Sequence, residues 1–173
     1  MKKALVIGCP GSGKSTFSST LGKKSDIPVI HLDLFYWKPG WISCSTQEFD
    51  EILRNLLHQE TYIMDGNYSR TIDYRISFAD TVFFFDFSRF LCIYRVIKRR
   101  ILNHGKTGEY MGKDCRERID YEFIKSVWNF RKRQRMQIIN ILDKYKQSKN
   151  IVIFRKPKDV TDYMKSFERP SLR

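Results

Sequence analysis

Short apolar runs alternate with longer stretches in which apolar residues recur every three or four positions. The runs Lys3–Ile7, Val29–Leu32, Thr61–Met64, Thr81–Phe85 and Ile151–Phe154 predict strands. Thr81–Phe85 has no charged position, as a strand covered on both faces requires. Between the runs, Lys14–Lys24, Thr46–Gln59, Ser88–Leu102 and Val160–Phe167 predict helices. In Thr46–Gln59 the apolar residues Phe49, Ile52, Leu53, Leu56 and Leu57 fall on one helical face. Cys115–Tyr145 reads as mostly helical, whether continuous or broken. Asn103–Lys113 contains Gly105, Gly108 and Gly112 and predicts a loop. Strands separated by helices imply a parallel sheet with right-handed crossovers. One α/β domain with five strands is the simplest arrangement, and no repeat, low-complexity tract or linker divides it.

Composition narrows the class. A chain of 173 residues builds one sizeable core and is short for two. With 42% hydrophobic and 14% aromatic residues it is expected to be globular. The apolar run Ala4–Ile7 is too short for a secretory signal. No stretch approaches the roughly 20 apolar residues of a membrane span. The expectation is a cytoplasmic protein without a membrane partner. Cys9, Cys44, Cys92 and Cys115 lack metal-ligand spacing and read as free thiols; His31, His58 and His104 are isolated along the chain.

The formal charge of +13 is unevenly placed. Residues 1–86 carry 9 Lys/Arg against 10 Asp/Glu, whereas residues 87–173 carry 23 against 9. A solvated basic surface, a clamp for polyphosphate and a nucleic-acid surface are the three readings of that excess.

One motif decides the chemistry. Gly8-Cys9-Pro10-Gly11-Ser12-Gly13-Lys14-Ser15 fits G-x-x-x-x-G-K-[ST] between a predicted strand and a predicted helix. Its glycines let backbone N–H groups turn inward around phosphate oxygens. Lys14 reaches the β- and γ-phosphates, Ser15 supplies a hydroxyl to Mg²⁺, and the positive end of the helix faces the same anion. The expected nucleotide-binding residues are Gly8, Pro10, Gly11, Ser12, Gly13, Lys14, Ser15 and Thr16, and the expected cofactors are ATP and Mg²⁺. Asp65 closes the third strand beside this loop, where a carboxylate holds a water of the metal shell or simply turns the chain with Gly66. The expected metal residues are therefore Ser15 and Asp65.

With Tyr62-Ile63-Met64-Asp65-Gly66, Asp86 and Tyr94-Arg95-Val96-Ile97-Lys98-Arg99-Arg100, the chain resembles the adenylate-kinase-like branch of P-loop phosphotransferases. His31-Leu32-Asp33, Trp37-Lys38-Pro39-Gly40-Trp41 and Asp65-Gly66-Asn67-Tyr68 make it more similar still to the bacterial DNA topology modulation proteins. That label describes a phenotype rather than a reaction. The resemblance implies a three-layer α/β/α domain over residues 1–173, with parallel strand order 2-3-1-4-5 and a short lid at approximately 103–118.

It also implies roles. Asp33, at the carboxyl edge of the second strand, would orient or deprotonate the acceptor hydroxyl; the alternative is a helix N-cap. Arg95 and Arg99, four apart on one helix face, would stand beside the transferring phosphates with Lys14. Arg116 and Arg118 would close as lid residues, and Arg155-Lys156-Pro157-Lys158 occupies the adenine-loop position, with Lys156 and Pro157 the residues expected at the base. In adenylate-type kinases an arginine after Asp-Gly-Phe-Pro grips the acceptor's phosphate. Here Asn67-Tyr68-Ser69 intervenes before Arg70, and the departure argues against a monophosphate acceptor. Asn67 and Tyr68 are candidate partners of a neutral acceptor, and Arg75 is a second candidate for an anion. The aromatics Phe35, Tyr36, Trp37 and Trp41 either stack on a ligand ring or form a small core under their loop.

The expectation is transfer of the γ-phosphoryl of ATP to a small acceptor: a nucleoside, nucleotide or metabolite alcohol. The expected acceptor-binding residues are Asp33, Trp37, Asn67, Tyr68 and Arg70. Two rivals stand beside it. One is a nucleotide-switched nucleic-acid-binding protein using the run Arg131-Lys132-Arg133 with Arg135, which lacks any accompanying nucleic-acid motif. The other is an NTPase without an acceptor site.

Overall fold

The computed structural model describes residues 1–102, 110, 114–115 and 121–167. β1 (Lys3–Gly8) runs through the glycine-rich turn into α1 (Lys14–Ser25). β2 (Val29–His31) leads directly into the short α2 (Asp33–Tyr36). Two short strands, β3 (Trp37–Lys38) and β4 (Ile42–Ser43), pair antiparallel. Then come α3 (Thr46–Leu57), β5 (Tyr62–Asp65), α4 (Ile72–Phe78) and β6 (Thr81–Phe85). α5 (Arg89–Leu102) follows, then α6 (Tyr121–Phe130). A π-helical turn at Arg131–Arg135 joins α6 to α7 (Met136–Tyr145). β7 (Asn150–Phe154) and α8 (Pro157–Ser166) close the described chain.

β2, β5, β1, β6 and β7 form one all-parallel sheet in that order. Numbered among themselves, these strands run 2-3-1-4-5, as expected. Val82 and Phe84 on β6 point away from Phe83 and Phe85, and all four are buried, so both faces of the sheet are covered. On one face Phe17 of α1 sits edge-on to Phe83, Phe85 and Phe154, with ring centroids 5.0, 5.3 and 5.5 Å away. Tyr163 of α8 packs on Phe83 and Phe154 in the same cluster. Each such side chain contributes about 1.5–3 kcal/mol by leaving water. Together they form the floor on which α1, and the turn before it, rests.

Two segments differ from the sequence expectation. Residues 33–43, read as an aromatic loop, form α2 and a hairpin. Gly40 and Trp41 turn it with φ of 75° and 67°, and Cys44 N–H donates to Tyr36 O to close it. The helix α4 was not expected, because Arg75 interrupts the apolar face made by Ile72 and Ile76. In the structure Arg75 itself is buried on that face. Residues 121–145 are helical throughout, and the π turn inserts a wider coil between two helices whose inner faces carry Val127 and Phe130, then Ile138, Ile141 and Leu142. The expected lid and its Arg116 and Arg118 lie largely or wholly outside the described residues. Among the described residues no helix is long and apolar enough to cross a membrane.

Because the sheet is parallel, the carboxyl ends of its strands share one edge. Gly8, His31, Asp65, Phe85 and Phe154 end there, the edge at which open α/β sheets bind ligands.

Candidate functional site

The turn Gly8–Ser15 crosses this edge between β1 and α1. Gly11 and Gly13 hold φ of 79° and 96°, the left-handed region that a side chain disfavours. At Gly11 there is also no room: a Cβ would stand 2.5 Å from the Cys92 carbonyl oxygen and 2.7 Å from Val96 Cγ2. α5 therefore lies directly against the loop. From the same helix Arg95 Nη1 donates to Ser12 O at 2.9 Å, and its guanidinium lies 5.6 Å from the Phe87 ring centroid. Gly13 caps α1 without a side-chain acceptor. The helix therefore presents its N-terminus to the loop without a capping carboxylate or hydroxyl.

Lys14 Nζ donates to Cys9 O at 3.0 Å. Burial lowers its pKa, and the nearby Asp65 and Asp33 carboxylates oppose that shift. Cys9 Sγ donates to Val127 O at 3.8 Å; the neighbouring Cys92 thiol and burial push its pKa up, while Cys9 in turn holds Cys92 down. Ser12 Oγ and Asp65 Oδ2 are buried without a hydrogen-bond partner among the described residues. A buried hydroxyl and a buried carboxylate oxygen normally have partners. These two orphaned atoms, at the loop and at the adjacent strand end, suit a phosphate and the water shell of its metal. The residues present fit an Mg·nucleotide. Thr16 is exposed on α1, and its carbonyl accepts the Thr20 hydroxyl.

Asp33 opens α2, immediately past β2. Tyr68 Oη donates to its Oδ1 at 2.5 Å. Burial raises the Asp33 pKa; the Tyr68 hydrogen bond lowers it, Asp65 raises it, and Lys14 and Arg99 lower it. Those influences place Lys14, Arg99, Asp65 and Tyr68 around one carboxylate. Tyr68 leans on Tyr36 and Phe49, with centroids 4.7 and 4.8 Å apart. Trp37 stacks edge-on with Tyr36 and Trp41 at 4.9 and 5.3 Å. The aromatic segment thus makes its own small core beside Asp33. A cleft of about 210 Å³ lies beside it, lined in part by Tyr36, Phe49, Tyr68 and Arg70.

Three residues named from the sequence have internal partners. Asn67 Oδ1 accepts from Gly8 N–H at 3.2 Å while its Nδ2 donates to Gln134 Oε1 at 2.5 Å, so its amide braces the start of the loop against the π turn. Arg70 forks onto Asp50 with bonds of 2.5 and 3.1 Å at the surface. Arg75 is fully buried; it donates to Thr71 Oγ1, Gly66 O and Tyr68 O, and burial pushes its pKa down to about 10. It fastens the segment after Asp65 and faces no solvent. Lys156 and Pro157 begin α8 just past β7, where Asp159 accepts from the Arg155 and Lys156 N–H groups at 2.8 and 3.1 Å. Arg135 is bound through two bonds of 2.7 and 2.8 Å to Asp86, leaving Arg131, Lys132 and Arg133 as the exposed part of the basic run.

Sequence reading missed His31. Its Nδ1 lies 3.0 Å from Asp65 Oδ1, and its Nε2 lies 3.3 Å from Ser19 Oγ. The signal was the register: His31 and Asp65 face each other at the ends of neighbouring parallel strands.

No protein-family model and no curated protein matches the chain. Among solved structures it is similar to shikimate kinase from Bacteroides thetaiotaomicron, at 16% identity and a TM-score of 0.49 over 96% of each chain.

Proposed function

We propose that the protein is an ATP- and Mg²⁺-dependent phosphotransferase acting on the hydroxyl of a small acceptor. The observation that carries the reading is the phosphate-type loop Gly8–Ser15 at the carboxyl edge of the sheet, with Lys14 opening α1, Asp33 opening α2 just past β2 and Asp65 closing β5 at the same edge. Gly8–Ser15 holds the triphosphate through its backbone, with Ser12 and Thr16 adding hydroxyls. Lys14 leaves the Cys9 carbonyl for the β- and γ-phosphates. Mg²⁺ would be held by Ser15 and, through water, by Asp65, and when bound would neutralise charge on the phosphates. Arg95 and Arg99 face the γ-phosphoryl group, and Lys156-Pro157 borders the base. Asp33 accepts the proton of the acceptor hydroxyl, a role favoured by a carboxyl held above its ordinary range.

The acceptor is read as an uncharged alcohol, either a nucleoside or a metabolite, in preference to a monophosphate. Arg75 is wholly internal and Arg70 is paired with Asp50, so the two arginines suited to gripping a phosphate are both engaged. Tyr68, hydrogen-bonded to Asp33, sets where that hydroxyl lies, and Trp37 with its aromatic neighbours walls the same side. Similarity to the DNA topology modulation proteins is compatible with this chemistry and does not identify the acceptor.

The test is nucleoside-diphosphate release from Mg·ATP across nucleosides, nucleotides and small alcohols. Acceptor-dependent stimulation that Lys14→Ala abolishes is expected. A slow rate that no acceptor raises would sink the transferase reading. The exposed Arg131-Lys132-Arg133 would then favour the nucleic-acid alternative, whose mark is DNA affinity that changes with ATP.

A further inference from the structure

His31 is only 9% exposed, yet both its ring nitrogens have partners. Against an ionised Asp65, Nδ1 must donate, because a carboxylate only accepts. With Nδ1 donating, Nε2 is left to accept a hydrogen bond from the Ser19 hydroxyl. The Tyr110 ring lies against the imidazole, its centroid 4.4 Å away. Asp65 is thereby held by one oxygen, while Oδ2 stays buried and, among the described residues, unpartnered.

The order Ser19–His31–Asp65 resembles a nucleophile, base and orienting acid. Ser19, however, lies inside α1, where neighbouring N–H groups bond to carbonyls four residues back. With those N–H groups engaged within the helix, nucleophilic chemistry lacks its second half among the described residues. What the arrangement does supply is orientation. A carboxylate fixed through a histidine to a hydroxyl on another element cannot rotate freely.

We infer that His31 is a positioning residue for the metal: bridging Ser19 and Asp65 Oδ1, it reserves Asp65 Oδ2 for the water shell of nucleotide-bound Mg²⁺. The inference rests on the nucleotide-binding part of the proposed function and is independent of any acceptor. Ser19, one helical turn beyond Ser15, ties the far end of the bridge to the helix that begins at the phosphate loop. The loop and the carboxylate that serve one ion are thus held in register by a side chain that touches neither ion nor phosphate.

The test measures binding rather than turnover. ATP affinity is determined by calorimetry with excess chelator and with Mg²⁺ or Mn²⁺, for the unaltered protein and for His31→Phe, His31→Asn and Ser19→Ala. Metal-free ATP affinity is expected to stay within about twofold, while the metal-dependent gain falls by about 10- to 100-fold in His31→Phe. His31→Asn, whose amide still reaches Asp65, should recover part of that gain, and Ser19→Ala should lose an intermediate amount. Thermal melting identifies any variant that misfolds, and His31→Asn and Ser19→Ala keep the question answerable if His31→Phe does. Unchanged metal dependence in all folded variants would overturn the inference. Absence of ATP binding in the unaltered protein would remove the nucleotide reading and this inference together. Absence of an acceptor alone would leave it standing.

Discussion

At Asp33, burial and hydrogen bonding act in opposite directions on one proton. Burial disfavours the carboxylate, whereas the Tyr68 hydroxyl favours it. Transfer needs the ionised form, so kcat/KM should fall as pH falls through a value above the usual carboxylate range. Tyr68→Phe removes the donor, and the acidic limb should move to higher pH; a limb that stays put or moves down would separate Asp33 from the proton transfer. Asp33→Asn should lower kcat by about 10²- to 10⁴-fold while ATP affinity changes little. The two arginines after Asp65 make a second contrast. Arg75→Met strands the Gly66 and Tyr68 carbonyls, and should cost about 2–4 kcal/mol in urea denaturation. Arg70→Ala breaks only an exposed pair, and should cost less than about 1 kcal/mol.

At the scale of elements, the loop is shaped by α5 as much as by its own glycines. Gly11 and Gly13 share a left-handed backbone, so alanine at either should cost about 1–2 kcal/mol. At Gly11 the new methyl would clash with the backbone and Val96 of α5, which should add about 1–3 kcal/mol, whereas at Gly13 it stays at ordinary contact distance from that helix. At Gly13 the nearest atom is the movable Arg95 Nη1 at 3.5 Å. Parallel denaturation and ATP titrations should therefore rank Gly11→Ala well below Gly13→Ala; equal losses would mean that α5 yields. This division also explains what the chain disclosed unaided. The loop was legible because its eight residues are contiguous, and Asp33 and Asp65 because each closes an apolar run. His31 was not, since its partners come from α1 and β5, far away along the chain. Arg75 was misleading for the opposite reason. It follows Asp65-Gly66 at a distance that suggests a ligand, yet the turn of α4 carries it into the core.

Across the whole molecule, the positive charge gathers in the second half of the chain. One member of the basic run, Arg135, is tied to Asp86, and the loop edge draws on Arg95 and Arg99. On the transferase reading the remaining charge binds DNA weakly and without specificity. Anisotropy titrations with labelled duplex should give a Kd of about 10⁻⁴–10⁻⁶ M near physiological salt, falling steeply in affinity as salt rises and indifferent to Mg·ATP. An affinity that ATP switches on or off would favour the nucleic-acid alternative.

The order of the sheet also governs how the protein is born. β1 is made before the strands it pairs with, β5 and β6, and among the described residues β2 pairs with β5 alone. Neither strand has a partner until Tyr62–Asp65 has left the ribosome. At about 5–20 residues per second, the nascent chain displays Ala4–Ile7 and the phosphate loop unpaired for seconds. A chaperone that binds short apolar segments would meet this chain at β1. A ribosome stalled before Tyr62 would hold β1 and β2 without the strand that joins them.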